Sequence, residues 1–116
     1  MKLKLMDGVR QNKKHPETFS IPSRSDKLKV LAGVYVKLGF INPDKDTAKD
    51  RKISPRTKYA PQMDERMWAL VTLIQGRKYY GVLHNEPLSF KTKVLKYGDK
   101  VVFESRHILD IIWNGE

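Results

Sequence analysis

Three histidines are the residues best suited to acid–base chemistry or metal binding, and they are widely separated along the chain. His84 precedes Glu86 by two residues and His107 precedes Asp110 by three, so each pair offers an imidazole and a carboxylate. Such a pair can transfer protons or supply two metal ligands. Neither pair comes with a nucleophile or further ligands. We therefore interpret both histidines as held by structural hydrogen bonds, and we expect no catalytic residue, no metal site and no cofactor.

The sequence contains none of the common enzyme motifs. It has no G-x-S-x-G, no Walker loop, no dinucleotide-binding glycine pattern and no H-E-x-x-H. The absence of cysteine excludes a disulfide framework and a thiol nucleophile, and it fits a reducing compartment. Because there is no long apolar run and no secretory signal, we expect a cytoplasmic protein that does not bind membranes.

The net charge of +10 is the most unusual feature of the composition. The cations are spread along the chain, in small clusters at Lys13-Lys14, Arg51-Lys52, Arg77-Lys78 and Lys91/Lys93/Lys96. A nucleic-acid-binding domain usually concentrates its cations in one patch or helix. The pattern is therefore more typical of a solvated basic surface than of a nucleic-acid site.

The stretch from Glu65 to His84 has the densest apolar content in the chain and predicts a β-hairpin. Met67–Ile74 contains one polar residue, and a tyrosine-rich run follows after the short connection Gln75-Gly76. Both faces of the first strand are apolar, which predicts a central strand covered on both sides. A helix is the competing interpretation. Gly81, in the middle of the second strand, predicts a bulge, a bend or a close approach of another segment.

Alternation along the first strand of the hairpin places Met67, Ala69, Val71 and Leu73 on one face. Trp68 lies on the other face, where it fills the core or serves as a platform for a base or a protein partner. Its position between apolar neighbours favours the core. In that case Trp68→Ala would destabilise the fold by about 3–5 kcal/mol.

The remaining segments predict short elements around the hairpin. Ser23 and Asp26 predict the start of a helix at about residues 24–32, with Leu28 and Leu31 on one face. Residues 7–22 are polar and are predicted to be irregular. The other predicted strands cover residues 1–6, 34–40, 88–90, 101–104 and 108–113, with turns at 97–100 and 105–107.

These elements favour a mainly β fold, a small antiparallel SH3-like barrel, partly open, with one short N-terminal helix. A mixed α+β sheet with the helix on one face is the alternative. Residues 42–64 hold three prolines, mixed charge and almost no apolar side chains, which predicts a flexible loop. By length, residues 1–116 are expected to form a single domain.

Six short motifs carry a resemblance to a known family. They are H-P-E-T-F-S-I-P (15–22), V-Y-V-K-L-G-F (34–40), E-R-M-W-A-L-V (65–71), G-V-L-H-N-E-P (81–87), Y-G-D-K-V-V-F (97–103) and H-I-L-D-I (107–111). Together they resemble a widespread bacterial family of uncharacterised small domains with the pattern H-P-x-T-F, V-K-L-x-F, E-R-M-W, N-E-P, G-D-x-V-x-F and H-I-x-D-I. The resemblance covers nearly all of the chain after residue 14.

The resemblance implies a domain of unknown function without established catalytic residues. Some relatives are labelled as immunity proteins that neutralise a toxin. Many relatives are acidic, whereas this chain is basic and has a longer basic loop at 42–64. For an immunity-like role, this difference implies a partner with an acidic surface.

We therefore predict a non-catalytic, protein-binding domain with an immunity-like role. RNA or single-stranded DNA is the alternative partner, because Tyr35, Tyr79 and Tyr80 lie near basic residues. A strand start and a strand-ending loop can meet at one rim of a barrel, where side chains are accessible to a partner. The predicted binding residues are accordingly Glu65, Arg66, Asn85, Glu86 and Pro87.

A structural role is the alternative for these five residues. In that interpretation Arg66 and Glu86 pair with each other or with Asp99 and stabilise the barrel.

Overall fold

The structure, a computed structural model, describes residues 3–43 and 64–113. Its main element is an antiparallel sheet of six strands, accompanied by two short helices and a 3₁₀ turn at Ser105–His107. The strands are β1 (Lys4–Leu5), β2 (Tyr35–Ile41), β3 (Glu65–Gln75), β4 (Lys78–Leu83), β5 (Lys100–Phe103) and β6 (Asp110–Ile112). The helices are α1 (Gly8–Lys14) and α2 (Arg24–Leu28).

Five strands pair in the order β1-β2-β3-β4-β5, and β6 pairs with β2 beside β1. β3 is therefore a central strand, as its apolar sequence predicts. β1 and β5 stand at the two ends of this order, and within the described residues no strand ladder joins them. The sheet curls into a half-barrel, which confirms the prediction of a mainly β, partly open small barrel.

The core fills the concave side of the half-barrel. The strand predicted at 34–40 is present as β2, and its side chains alternate, since Val36, Leu38 and Phe40 are fully buried while Tyr35 and Lys37 face outward. Burying apolar side chains contributes most of the stability of such a fold. The other buried members include Met67, Ala69, Val71, Tyr79, Leu83, Phe90, Leu95, Val101, Phe103 and Ile108.

The predicted hairpin is present, and a bulge changes the faces of its first strand. The pairing of β3 with β4 shifts register between Val71 and Leu73. The extra residue, Thr72, turns Leu73 outward, where it is 49 % exposed. The prediction that Leu73 shares the buried face of Val71 is therefore wrong, because strict alternation does not continue through a bulge.

Gly81 lies opposite this bulge, where the two strands approach too closely for a side chain. A Cβ atom on Gly81 would lie 2.5 Å from the carbonyl oxygen of Leu70. Both the bulge and the close approach that this glycine predicts are found. The hairpin turn itself is Gly76-Arg77, one residue later than predicted, with Gly76 at a φ of +61°.

The N-terminal segment has one more helix than predicted. α1 lies in the polar stretch predicted to be irregular, and the Asp7 carboxylate caps it by accepting the Arg10 backbone N–H at 3.0 Å. α2 begins after Ser23, as predicted, and the Ser23 hydroxyl accepts the Asp26 N–H at 3.1 Å. The helix ends at Leu28, however, rather than near residue 32.

The buried side of α2 is not the predicted leucine face. Leu28 and Leu31 are 75 % and 67 % exposed, whereas Lys27 is 6 % exposed and Val30 is buried. α2 ends at Leu28, with Lys29 as its C-cap, so the helical spacing that would place Leu31 on the face of Leu28 does not extend to Leu31. A lysine thus occupies the position where an amphipathic helix would bury an apolar side chain.

Two further predictions are wrong. Residues 88–90 form bends instead of a strand. Trp68 is not a core residue, because its ring is only partly buried on the convex side of the sheet, so this side of β3 is not fully covered.

The flexible loop predicted for residues 42–64 lies outside the described residues except at its ends. Those ends are joined, because the Asn42 N–H donates to the Asp64 carboxylate at 2.8 Å. No helix in the described part of the chain has the length and apolar character needed to cross a membrane.

Candidate binding face

The convex side of β2, β3 and β4 carries a patch of aromatic and basic side chains. Cross-strand pairing places Lys37 opposite Trp68, and the His84 N–H donates to the Trp68 carbonyl at 2.9 Å, which extends the ladder by one residue. Residues opposite one another in a ladder point to the same side of the sheet. We call this patch the outer face and define it by Tyr35, Lys37, Trp68, His84 and Tyr97.

Three rings of the outer face pack against one another. The ring centroids of Tyr35 and His84 are 5.1 Å apart in an edge-on arrangement, and those of His84 and Tyr97 are 5.4 Å apart and tilted. The Tyr97 hydroxyl lies 3.3 Å from His84 Nδ1, within hydrogen-bond distance. Such contacts fix the rings relative to each other and leave their outer edges accessible.

Cations lie over the remaining rings. The Lys37 ammonium is 5.0 Å from the centroid of the Trp68 ring, and the Arg66 guanidinium is 4.9 Å from that of Phe19. Both contacts fall within the range of cation–π attraction. They hold two flexible basic side chains in defined positions on or beside the outer face.

The rim of the barrel next to this face is held by Glu65. Its carboxylate accepts the Leu88 N–H at 2.9 Å and the Ser89 N–H at 2.5 Å. These bonds satisfy backbone donors in a segment that has no strand partner. They also explain why residues 88–90 can lie beside the sheet without joining it.

Two asparagines complete the support of this loop. The Asn85 side-chain oxygen accepts the Trp68 N–H at 2.5 Å, and the buried Asn42 amide donates to the Ser89 carbonyl at 3.2 Å. The loop that follows β4 is therefore tied to the start of β3 and to the end of β2.

The structure brings the five predicted binding residues to one rim, since Glu65 holds the loop that contains Asn85, Glu86 and Pro87. The side-chain oxygens of Glu65 and Asn85 accept hydrogen bonds from backbone N–H groups of the chain itself, whereas Arg66 and Glu86 are exposed. The predicted pairing of Arg66 with Glu86 or Asp99 is replaced by the contact of Arg66 with Phe19. A binding role for the five residues stays a prediction.

The histidines have the structural hydrogen bonds that the sequence predicts. His84 has Tyr97 as its partner, and His107 Nδ1 accepts the Glu104 N–H at 3.0 Å. Burial is the main reason that the pKa of His107 lies below its usual value, and the Arg106 cation adds to the effect. Within residues 3–43 and 64–113, no three His, Asp or Glu side chains are grouped closely enough to hold a metal ion.

Several carboxylates serve the chain itself. Asp7, Asp64 and Glu65 accept backbone N–H groups, and so does Asp99. Burial would raise the pKa of Asp99, but hydrogen bonds from the Lys96 side chain and backbone outweigh it and lower the pKa. The oxygens of these carboxylates therefore satisfy backbone donors of the chain itself.

The three tyrosines that suggested nucleic-acid binding do not form one platform. Tyr79 is buried and stacks on Phe103, with ring centroids 5.3 Å apart, whereas Tyr35 lies on the outer face. Sequence reasoning did not identify Tyr97 or Phe19 as parts of this region. No local pattern links them to it, because their contacts with His84 and Arg66 join segments distant in sequence.

Residues 4–115 match the model of a family described as "Uncharacterized protein conserved in bacteria (DUF2314)". The chain belongs to this family. The match confirms the resemblance drawn from the motifs. Neither the curated proteins nor the solved structures yielded a match.

Proposed function

We propose that this protein is a non-catalytic binding domain that engages another protein through the outer face and the adjoining rim, and that the partner surface is acidic. The observation that carries the proposal is the accessible cluster of Tyr35, His84, Tyr97 and Trp68 with two fixed cations beside it. Tyrosine, tryptophan and arginine dominate the binding energy of protein interfaces.

Ring geometry favours a protein partner over a single-stranded nucleic acid. Stacking of bases requires ring faces that are open to the ligand. Here the Lys37 ammonium covers one side of the Trp68 ring, and the rings of Tyr35, His84 and Tyr97 contact each other. A group of aromatic and basic side chains that are half-buried or exposed and contact one another suits the mixed contacts of a protein interface.

Charge supports an acidic partner surface. Lys37 and Arg66 are held in place by rings, while the net charge of +10 attracts an acidic partner over a longer range. Complementary charge of this kind raises the rate of association and excludes basic proteins.

An immunity-like role is the specific form of the proposal that the family resemblance suggests. The acidic partner would then be a toxin whose active surface the outer face covers. Co-expression with toxins encoded beside the gene tests this form, because protection of the host should require the outer face.

The binding proposal is tested with two charge-reversal variants that change the net charge equally. Lys37→Glu with Arg66→Glu alters the outer face and rim, and Arg10→Glu with Lys13→Glu alters the exposed side of α1. A partner protein captured by the wild-type chain is purified. Its affinity for the wild-type chain and for each of the two variants is then measured by calorimetry. We expect at least a tenfold loss for the first variant and no more than a twofold loss for the second.

Equal losses in both variants would contradict the proposal, since they would indicate attraction by net charge alone. Nucleic acid is tested in parallel with labelled single strands of RNA and DNA at about 50 and 200 mM salt. Tight binding to a strand that is lost in the outer-face variant would replace the protein partner with a nucleic acid.

A further inference from the structure

The structure contains a second concave surface, away from the outer face. It is a groove of about 730 Å³ between α2, the β3–β4 turn and the 3₁₀ turn. This volume lies in the range of small-molecule sites. Its lining combines two kinds of residue, namely the basic Arg24, Lys27, Arg77 and Arg106 and the apolar or aromatic Val9, Ile21, Leu28 and Tyr79.

Lys27 is the most unusual residue of this groove. It is 6 % exposed, and within the described part of the chain no side chain forms a hydrogen bond or ion pair with its ammonium group. A buried ammonium without a paired anion is unfavourable. Burial lowers the pKa of Lys27, and the Asp7 carboxylate offsets this only in part.

Two leucines near Lys27 are exposed, although Lys27 itself is buried. Leu28 lines the groove and is 75 % exposed, and Leu31 nearby is also exposed. α2 thus buries a cation and presents the apolar Leu28 to solvent, the reverse of what hydrophobic burial favours. A sequence that breaks a local rule without an evident structural gain often does so at a functional site.

Charge in the groove is unbalanced. Four basic side chains line it, and Glu104 is the single acidic residue of the lining. The Glu104 carboxylate is 3.7 Å from the Arg106 guanidinium. Within the described residues, no carboxylate forms an ion pair with Arg24, Lys27 or Arg77. An anionic group in this position would gain from several cations at once.

We propose that this groove is a binding site for a small amphiphilic anion, with a phosphate or carboxylate head group and an apolar or aromatic body. The head group lies among Lys27, Arg77 and Arg106, and the body covers Leu28 and Tyr79. The site does not include any residue of the outer face, so it stands independently of the protein-binding proposal.

Phenyl phosphate is the first probe, and benzoate, inorganic phosphate and phenol are its comparisons. Binding is followed by amide chemical shifts in the full chain. We expect saturable one-to-one binding of phenyl phosphate or benzoate, with shifts at Leu28, Arg77 and Tyr79, at least tenfold tighter than binding of inorganic phosphate or phenol. Preference between phenyl phosphate and benzoate identifies the head group.

Three variants test which residues contribute to the affinity for phenyl phosphate. Lys27→Met removes the buried charge at similar volume, and it should weaken phenyl phosphate binding at least tenfold without lowering the melting temperature. Arg77→Gln changes an exposed residue, so it tests the site even if Lys27→Met fails to fold. Lys29→Gln is the matched control, because Lys29 is next to α2 and outside the groove lining, and it should change affinity less than twofold.

The outcome that would overturn the proposal is the absence of saturable binding, or binding that Lys27→Met and Arg77→Gln leave unchanged. Equal weakening by Lys29→Gln would also overturn it, since the attraction would then come from net charge. The variant Lys37→Glu with Arg66→Glu should bind phenyl phosphate within twofold of the wild type, which separates a failure of this site from a failure of the outer face.

Discussion

The Asn85 side-chain oxygen accepts the Trp68 backbone N–H, and this bond joins the loop after β4 to the first half of β3. Trp68 lies one residue beyond the last β3–β4 pair, Ala69 with Leu83, and its N–H donates to the Asn85 side chain instead of to a backbone carbonyl. Asn85 thus replaces a backbone carbonyl at the point where the ladder stops. The same residue sets the course of the rim beside the outer face.

Asn85→Ala should destabilise the fold by about 1–3 kcal/mol, because it leaves a partly buried N–H without an acceptor. Urea unfolding measures the change. The adjacent exposed residue provides the control, and Glu86→Ala should stay within about 0.5 kcal/mol of the wild type. Similar values for the two variants would mean that water replaces the Asn85 oxygen without loss.

Glu65→Ala should release the loop at residues 88–90 more than it destabilises the whole chain. The carboxylate holds the N–H groups of Leu88 and Ser89, so hydrogen exchange at these two amides should accelerate at least tenfold. Amides of the core strand β2, such as that of Leu38, serve as the reference. Equal acceleration at Leu38 and at Ser89 would show that Glu65 acts on global stability instead.

Because of the bulge at Thr72, truncating the smaller side chain of Val71 should destabilise the fold more than truncating the larger side chain of Leu73. Val71→Ala removes two buried methyl groups and should destabilise by about 2 kcal/mol or more. Leu73→Ala removes a larger, half-exposed side chain and should cost about 0.5–1 kcal/mol. Chemical denaturation of the two variants compares them directly, and the reverse order would show that alternation continues through residue 72.

Gly81→Ala should destabilise by about 1–3 kcal/mol, because the new Cβ would lie 2.5 Å from the backbone oxygen of Leu70. A backbone oxygen in a ladder cannot move aside as a flexible side chain can. Val102→Ala, at a half-exposed position of the neighbouring strand, is the control and should cost less than about 1 kcal/mol. A stable Gly81→Ala protein would mean that the bulge can shift along β3.

Stability should fall as the pH is lowered below about 6.5, the ordinary pKa of histidine, because the pKa of His107 is lower in the folded protein. Burial is the main cause, with Arg106 and Lys78 adding to it, while Glu104 and Asp7 oppose it. Below the unfolded-state pKa the unfolded chain binds more protons, so unfolding becomes more favourable as the pH falls. Protonation of Nδ1 also removes the acceptor for the Glu104 N–H.

The variant His107→Gln isolates this effect, because it removes the imidazole of residue 107 and leaves every other ionisable group in place. The unfolding free energies of wild type and variant are measured by urea titration at several pH values. We expect the value of the wild type minus that of the variant to decrease as the pH falls. A difference that stays constant between about pH 5 and pH 7.5 would contradict the assigned direction.

Local chemistry in the sequence was enough to predict much of this fold. The alternation of β2, the cap at Ser23 and the short connection after Ile74 each act within a few residues, through side-chain direction or a single hydrogen bond. The family motifs, likewise, are contiguous strings. These local patterns predict structure correctly because their effect does not depend on which distant segment packs against them.

Tertiary structure alone decided where the sheet departs from its pattern and which side chains meet. The exposure of Leu73 follows from a bulge whose partner lies on β4, and Glu65 reaches N–H groups more than 20 residues away. The burial of Lys27 and the exposure of Leu28 depend on how α2 sits beside β4, whose Tyr79 hydroxyl donates to the Lys27 carbonyl at 3.4 Å. Such placements arise from contacts between segments distant in sequence, and a periodic pattern read along the chain carries no information about them.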